Sequence, residues 1–131
     1  MKNSRKDIGL LIIRIVFGIA MIAFHGLPKL TGGPELWTKI GSSMQNLGIH
    51  FLPTVFGFAA GLVETVASLL LIIGLWTRPS SILLGLTMLV AMISHLAAGD
   101  GWSVASHAIE FLSVFVAFAI MGPGKLSIDK R

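Results

Sequence analysis

The sequence lacks cysteine and has little charge. Its 131 residues include no cysteine, and Asp, Glu, Lys and Arg together make up only 12%. Without cysteine the chain can form no disulfide, thiolate metal site, thiol relay or covalently attached c-type haem. It also contains no internal repeat, low-complexity segment or nucleotide-binding loop. The 54% share of hydrophobic residues lies well outside the balance of a soluble globular protein.

Long apolar runs take the place of charge. Four runs cover roughly residues 8–27, 53–76, 80–98 and 104–121, and the mean hydropathy is +0.86. Each run is near the length of about 20 residues that a helix needs to cross a bilayer. The short connections 77–79 and 99–103 favour antiparallel neighbours. We therefore expect an all-α membrane protein, with residues 1–131 forming a single domain built as an antiparallel bundle of four transmembrane helices. We expect the first run to be retained in the mature protein and not removed as a signal peptide, because it is long and has no small-residue cleavage site before His25.

The basic residues flank the apolar runs. Seven of them fall on one side of the predicted bundle (Lys2, Arg5, Lys6, Arg78, Lys125, Lys130 and Arg131) and two on the other (Lys29 and Lys39). This bias predicts that both termini are cytoplasmic. The net charge of +4 is then a matter of membrane topology, and we expect the lipid bilayer, not nucleic acid, as the partner.

The connection 31–52 carries an apolar stripe of its own. Trp37, Ile40, Met44 and Leu47 recur at helical spacing with polar residues between them. This pattern predicts a short amphipathic helix on the outer surface, between the first and second transmembrane helices. Such a helix either covers the mouth of the bundle as a lid or fills space at the interface.

Two ionisable residues fall deep inside the apolar runs. Arg14 lies eleven residues inside His25, and Glu64 eleven residues inside Pro53. At 1.5 Å per residue each is about 16 Å from the outer end of its helix. A charge at that depth is costly unless it is paired. The sequence therefore predicts an Arg14–Glu64 pair in the middle of the membrane.

Further polar residues fall nearer the outer side. They come from three helices: His25 and Lys29 from the first, His95 from the third, and His107 with its i+3 neighbour Glu110 from the fourth. The expected site lies in the outer third of the membrane and leads down to Glu64. Candidate catalytic residues are His25, Lys29, Glu64, His95 and Glu110, and candidate cofactor contacts are Arg14, His25, Lys29, Glu64, His95 and His107. The alternative is a structural polar network that fixes the register of the helices.

Three functions are compatible with these residues. A quinone site needs a lipid-accessible slot, a His or Lys that donates to a carbonyl, and a carboxylate that relays protons. A metal or b-type haem site is the second alternative, because the His-x-x-Glu of the fourth helix, with His95 and His25, has suitable nitrogen and oxygen ligands. The third is a non-catalytic membrane subunit that anchors soluble partners.

The motifs resemble those of the DoxX family over nearly the whole length. The resemblance rests on Arg14, His25-Gly26-x-x-Lys29, Glu64, Gly74-x-x-Thr77-Arg78, His95 and Gly122-Pro123-Gly124-x-x-Ser127-Ile128-Asp129. It implies a four-helix protein of the prokaryotic inner membrane, commonly described as an oxidoreductase. Family members are tied to thiosulfate:quinone oxidoreductase and terminal quinol oxidase complexes, to oxidative-stress complexes, and to catechol and quinone resistance.

The residues and the resemblance agree on one expectation. We expect a quinone- or quinol-interacting component of a membrane oxidoreductase or oxidative-stress complex, with a polar site facing the periplasm. Without cysteine or a nucleotide-binding loop, the chain needs a soluble or membrane-bound redox partner to deliver electrons. A homo-oligomer is a further expected form of assembly.

Overall fold

The computed structural model describes residues 4–129, and within them it contains four helices long and apolar enough to cross a membrane. These are the first span, Arg5–Leu30, the second, Pro53–Ile73, the third, Thr77–Ala97, and the fourth, Gly101–Met121. Residues 4–129 include no β-strand. The predicted all-α fold with four apolar spans is confirmed. Lys2, Lys130 and Arg131, which contributed to the predicted topology, lie outside the described residues.

The first span is longer than the sequence predicted, and it changes helix type near its end. It is α-helical over Arg5–Met21, π-helical over Ile22–Gly26, and α-helical again over Leu27–Leu30. Ser4 and Asp7 form a capping box at its start, each side chain accepting a hydrogen bond from the other residue's backbone N–H. Because the helix continues past His25, Lys29 belongs to the span and not to the loop after it.

The connection between the first and second spans is largely helical. It consists of an α-helix, Pro34–Gly41, and a 3₁₀ turn, Ser42–Leu47, which together we call the connecting segment. Its α-helix lies against the second span, where Gly57 has no side chain and the Trp37 carbonyl occupies the position that a Cβ would take. The Trp37 ring packs on Phe58 with centroids 4.9 Å apart. The predicted short helix is confirmed, and it lies at the end of the bundle opposite the termini.

The core contains large side chains from all four spans, and the outer surface is aliphatic. Met21, Leu71, Leu84, Phe115 and Phe118 are almost completely buried. Exposed Ile, Leu and Val side chains line the outside of the first three spans. A bundle that is apolar on both its inside and its outside is typical of a membrane protein, in which the outer side chains contact lipid.

The chain after the fourth span folds back over the end that carries the termini. We call residues 122–129 the C-terminal strap. The Asp7 carboxylate accepts a hydrogen bond from the backbone N–H of Lys125 at 2.9 Å. The Asp129 carboxylate accepts from the N–H groups of Trp76 and Thr77, at 2.8 and 2.9 Å, where the third span begins. The strap thus supplies the carboxylate cap that the start of the third span lacks in its own sequence.

Candidate functional site

A cavity of about 530 Å³ lies between the second and third spans, beneath the connecting segment. Its walls are mainly apolar, and its polar groups come from four elements. The lining comprises Lys29, Ile40, Gly41, Ser43, Met44, Phe56, Ala59, Ala60, Val63, Glu64, Leu83, Leu86, Thr87, Val90, Ala91, Ser94 and His95. The volume lies within the range of pockets that bind small organic molecules.

The deepest polar group of the cavity is an ion pair between Lys29 and Glu64. Lys29 Nζ donates to both carboxylate oxygens of Glu64, at 2.7 Å to Oε1 and 2.6 Å to Oε2. The Glu64 side chain is 1% exposed and that of Lys29 is 22% exposed. A carboxylate buried this deeply is stable only with such a partner. Lys29 therefore gives the buried Glu64 carboxylate a counter-charge while its own ammonium reaches the cavity.

Two glycines allow the first span to come close enough for this pair to form. At Gly26 a Cβ would collide with the Thr65 hydroxyl and lie 2.9 Å from the Glu64 carbonyl carbon. At Gly61 a Cβ would lie 2.9 Å from Cβ of Lys29. The two backbones meet at these positions because neither residue has a side chain, as at many helix contacts in membranes.

The predicted Arg14–Glu64 pair is wrong. The Arg14 guanidinium donates to four backbone carbonyls: Nε to Leu71 at 2.9 Å, Nη2 to Ile72 at 2.8 Å, and Nη1 to Pro123 at 3.0 Å and Leu126 at 2.8 Å. The prediction treated His25 as the end of the first span, whereas the span reaches Leu30. Arg14 consequently lies level with the end of the second span. It holds the C-terminal strap and is not part of the cavity lining.

His95 lies nearer the outer end of the cavity. Its Nδ1 is 2.9 Å from the Asp100 carboxylate, so Nδ1 carries a proton and the other ring nitrogen, Nε2, remains for a ligand. His95 is eighteen residues from Thr77, and Glu64 is nine residues from Ile73. At 1.5 Å per residue, this difference separates the backbones of the two residues by about 13 Å along the bundle. The cavity therefore has the ion pair toward its inner end, which we call the floor, and an imidazole toward its outer end, which we call the mouth.

His25 and His107 form a separate pair outside the cavity lining. Their Nε2 atoms are 2.6 Å apart, so one imidazole N–H donates to the other ring, and the ring centroids are 4.7 Å apart. Phe111 packs against both rings. The structure thus divides the predicted cluster into two groups, with Lys29, Glu64 and His95 in the cavity and the two stacked histidines between the first and fourth spans.

Glu110 belongs to neither group. It is exposed, and within residues 4–129 its carboxylate makes no hydrogen bond or ion pair. Although Glu110 is the i+3 neighbour of His107, the His107 ring turns toward the first span. The prediction that Glu110 joins the same cluster is therefore wrong. In the described part of the chain, no group of three or more His, Cys, Asp or Glu is placed to hold a metal ion.

Sequence reasoning missed the hydroxyl groups of the cavity. Thr87 and Ser94 of the third span line it, as does Ser43 of the connecting segment. Thr87, Val90, Ala91 and Ser94 recur at i, i+3, i+4 and i+7, so they share one face of a helix. This spacing was visible in the sequence, but nothing there indicated that the face lines a cavity.

Comparison with known proteins agrees with this architecture. The DoxX family model matches residues 9–97, more than half of the chain. The chain belongs to the DoxX family. The matched region includes every residue that lines the cavity, whereas His107, Glu110 and the C-terminal strap fall outside it.

Two curated relatives match this DoxX protein over nearly its full length. The inner membrane protein YphA of Escherichia coli (strain K12) is 32% identical over 139 aligned positions, covering 98% of this chain and 94% of YphA. The protein named "Putative oxidoreductase CatD" of Bacillus subtilis (strain 168) is 26% identical, covering 97% of this chain and 89% of CatD. No solved structure matches the chain. With its four apolar spans, this DoxX protein is a multi-pass protein of the inner membrane.

Proposed function

We propose that this DoxX protein binds a quinone or quinol in the cavity between the second and third spans. On this proposal it is the membrane component of an oxidoreductase. The observation that carries the proposal is a 530 Å³, mainly apolar cavity whose floor is the Lys29–Glu64 ion pair. The name of the relative CatD, which describes an oxidoreductase, adds support.

The shape and chemistry of the cavity fit an aromatic ring with two carbonyl oxygens. The apolar walls, including Phe56, Val63 and Val90, suit the ring faces. The Lys29 ammonium can donate to one carbonyl oxygen at the floor. His95 lies toward the mouth, and its backbone is about 13 Å from that of Glu64 along the bundle. Its Nε2 can therefore form a hydrogen bond with the far end of the ligand, or with a water that enters with the ligand.

The same residues can exchange protons with the ligand. Reduction of a quinone to a quinol takes up two electrons and two protons, and oxidation returns them. The Lys29–Glu64 pair can supply or accept one proton, and His95, held by Asp100, can exchange another with water at the mouth. On this proposal the electrons come from a redox cofactor of a partner protein. The distribution of Lys and Arg favours a mouth that faces the periplasm.

Trp37 provides a probe for this proposal. Its indole N–H donates to the Lys29 carbonyl at 2.6 Å, so the ring lies beside the residue that would hold the ligand. Quinones quench indole fluorescence at short range. With Trp76 and Trp102 replaced by Phe, titration of the purified protein with decylubiquinone should quench Trp37 saturably.

A matched pair of variants separates binding in the cavity from partition into the detergent. Ala60→Phe fills the cavity, whereas Ala23→Phe adds the same side chain to an exposed position of the first span. We expect Ala60→Phe to abolish saturable quenching and Ala23→Phe to retain it. Equal, non-saturable quenching in both variants would exclude a quinone site in this cavity.

A further inference from the structure

The fourth span carries an ionisable residue on its outer surface, near the middle of the membrane. Glu110 lies close to the midpoint of Gly101–Met121 and is exposed, and its carboxylate makes no hydrogen bond or ion pair within residues 4–129. Carboxylates at this depth normally face the interior of a bundle, a water-filled cavity or a partner. In a single copy of this chain Glu110 would instead face lipid, which is the least favourable surrounding for it.

The surface around Glu110 differs from that of the other spans. Ser103, Ser106, Glu110, Ser113 and Ala117 alternate at spacings of three and four residues, so they form one face. Between Val104 and Val116 the fourth span exposes no large hydrophobic side chain. The first and second spans expose Ile, Leu and Val along most of their length, and the third span exposes four such side chains between Ile82 and Leu89. This face therefore consists of small or polar side chains, whereas the rest of the outer surface consists mainly of large aliphatic side chains that suit contact with lipid.

We propose that this face of the fourth span binds the same face of a second copy of the chain. A two-fold axis along the membrane normal would place equivalent residues of the two copies at the same depth. The small side chains of Ser106, Ser113 and Ala117 would let the two helices approach closely. Glu110 would then leave the lipid and enter an interface between proteins.

Charge complementarity supports a second copy as the occupant. His107 lies one turn from Glu110, at a height difference of about 4.5 Å, and it is exposed. His25 engages Nε2 of His107, so Nδ1 remains available. Across the two-fold axis, Glu110 of each copy lies within one helical turn in height of His107 of the other, so the two side chains can form two equivalent contacts. Glu110 on this face is thus an acceptor, and His107 at the edge of the face offers a matching donor, as a self-complementary interface requires.

The absence of cysteine allows a direct test by disulfide cross-linking. Ser113→Cys introduces a thiol into the proposed interface, and Val66→Cys introduces one at a position of the second span that is 46% exposed. Each variant is purified, reconstituted at low density into vesicles of phosphatidylethanolamine and phosphatidylglycerol, and oxidised. We expect a covalent dimer from Ser113→Cys and little from Val66→Cys. Equal yields from the two would overturn the proposal.

Variants of Glu110 then test its part in the interface. In the Ser113→Cys background, Glu110→Leu should lower the dimer population about tenfold, because the interhelical hydrogen bonds are lost. Glu110→Gln should retain most of the dimer, since an amide still donates and accepts. Undiminished cross-linking of Glu110→Leu would show that Glu110 does not hold the copies together. Neither result depends on whether the cavity binds a quinone.

Discussion

Lys29 and Glu64 form the only ion pair between spans in the described part of the chain, with Nζ 2.6 Å from Oε2. The pair connects the last turn of the first span to the middle of the second. Its carboxylate is buried and its ammonium reaches the cavity. One contact therefore both fixes the position of the first span and supplies the polar floor of the candidate site.

Loss of Lys29 should cost more stability than loss of Glu64. Lys29→Met leaves the Glu64 carboxylate buried without a counter-charge, and we expect unfolding to become easier by about 3–5 kcal/mol. Glu64→Gln leaves an ammonium that is already 22% exposed and can turn toward water, so we expect a smaller loss. Thermal unfolding in mild detergent, followed by tryptophan fluorescence, measures both effects.

A double-mutant cycle adds a control to this prediction. The double variant Lys29→Met with Glu64→Gln should be more stable than the sum of the single losses predicts, because the two residues interact directly. The cycle of Arg14→Met with Glu64→Gln should be additive, since these residues do not touch. Strong coupling between Arg14 and Glu64 would contradict the structure.

Arg14 should hold the C-terminal strap in place. The planar Arg14 guanidinium donates hydrogen bonds to four backbone carbonyls. In Arg14→Lys a single ammonium nitrogen with three N–H donors replaces it and cannot reach all four carbonyls. We expect trypsin to cleave after Lys125 at least about tenfold faster in this variant. A tenfold change in the population of the open strap corresponds to about 1.4 kcal/mol, and loss of hydrogen bonds from a charged group costs more than that. Mass spectrometry of the fragments measures the cleavage.

Arg78→Lys is the control for this experiment. Arg78 makes one long contact, 3.3 Å from Nη2 to the Ile120 carbonyl, and lies outside the strap. Its replacement should leave cleavage after Lys125 unchanged. If cleavage after Lys125 is equally slow in Arg14→Lys and Arg78→Lys, the Arg14 hydrogen bonds do not hold the strap.

The contact between the first and second spans should tolerate no side chain at Gly26. A Cβ there would collide with Thr65, so Gly26→Ala must push the spans apart, at a cost of about 1–3 kcal/mol. Gly9→Ala is the matched change in the same helix, because apart from the helix's own backbone no neighbouring atom lies within 4 Å of the position that its Cβ would take. Alanine also favours helix over glycine, so we expect Gly9→Ala to be neutral or stabilising. Thermal unfolding of the two variants decides between these outcomes.

Asp100 should act on ligand affinity through His95. Its carboxylate fixes the His95 ring and its tautomer. Asp100→Ala should therefore weaken decylubiquinone binding, and His95→Ala should weaken it more. His50→Ala, in the exposed loop before the second span, should have no effect on the same Trp37 titration. Full affinity in both Asp100→Ala and His95→Ala would remove His95 from the site.

The sequence predicted the fold better than it predicted the site. Length and hydropathy located four spans, because the bilayer imposes one length on every apolar helix. They could not reveal the π-helical turn at Ile22–Gly26 or the continuation to Leu30. The depth of Arg14 was estimated from the wrong end point, which led to its assignment to the wrong partner.

The structure also explains two motifs, the one at residues 74–77 and the one at the C-terminal end, whose roles the spacing of residues in the sequence could not reveal. Asp129 is 52 residues from Thr77 in the sequence, yet it caps the third span there. At Gly74 a Cβ would lie 2.9 Å from Nη2 of Arg14, so this position must stay small. Hydrophobic periodicity says nothing about such contacts, because they join backbone carbonyls and caps and not apolar faces.

The central claim is that a quinone occupies the cavity between the second and third spans. Photolabelling of the reconstituted protein with an azidoquinone, followed by peptide mass spectrometry, tests it most directly. We predict label on cavity residues such as Met44, Val63 and Ala91, and its loss when excess decylubiquinone competes. Label spread evenly over the lipid-facing side chains of all four spans, and unaffected by the competitor, would contradict it.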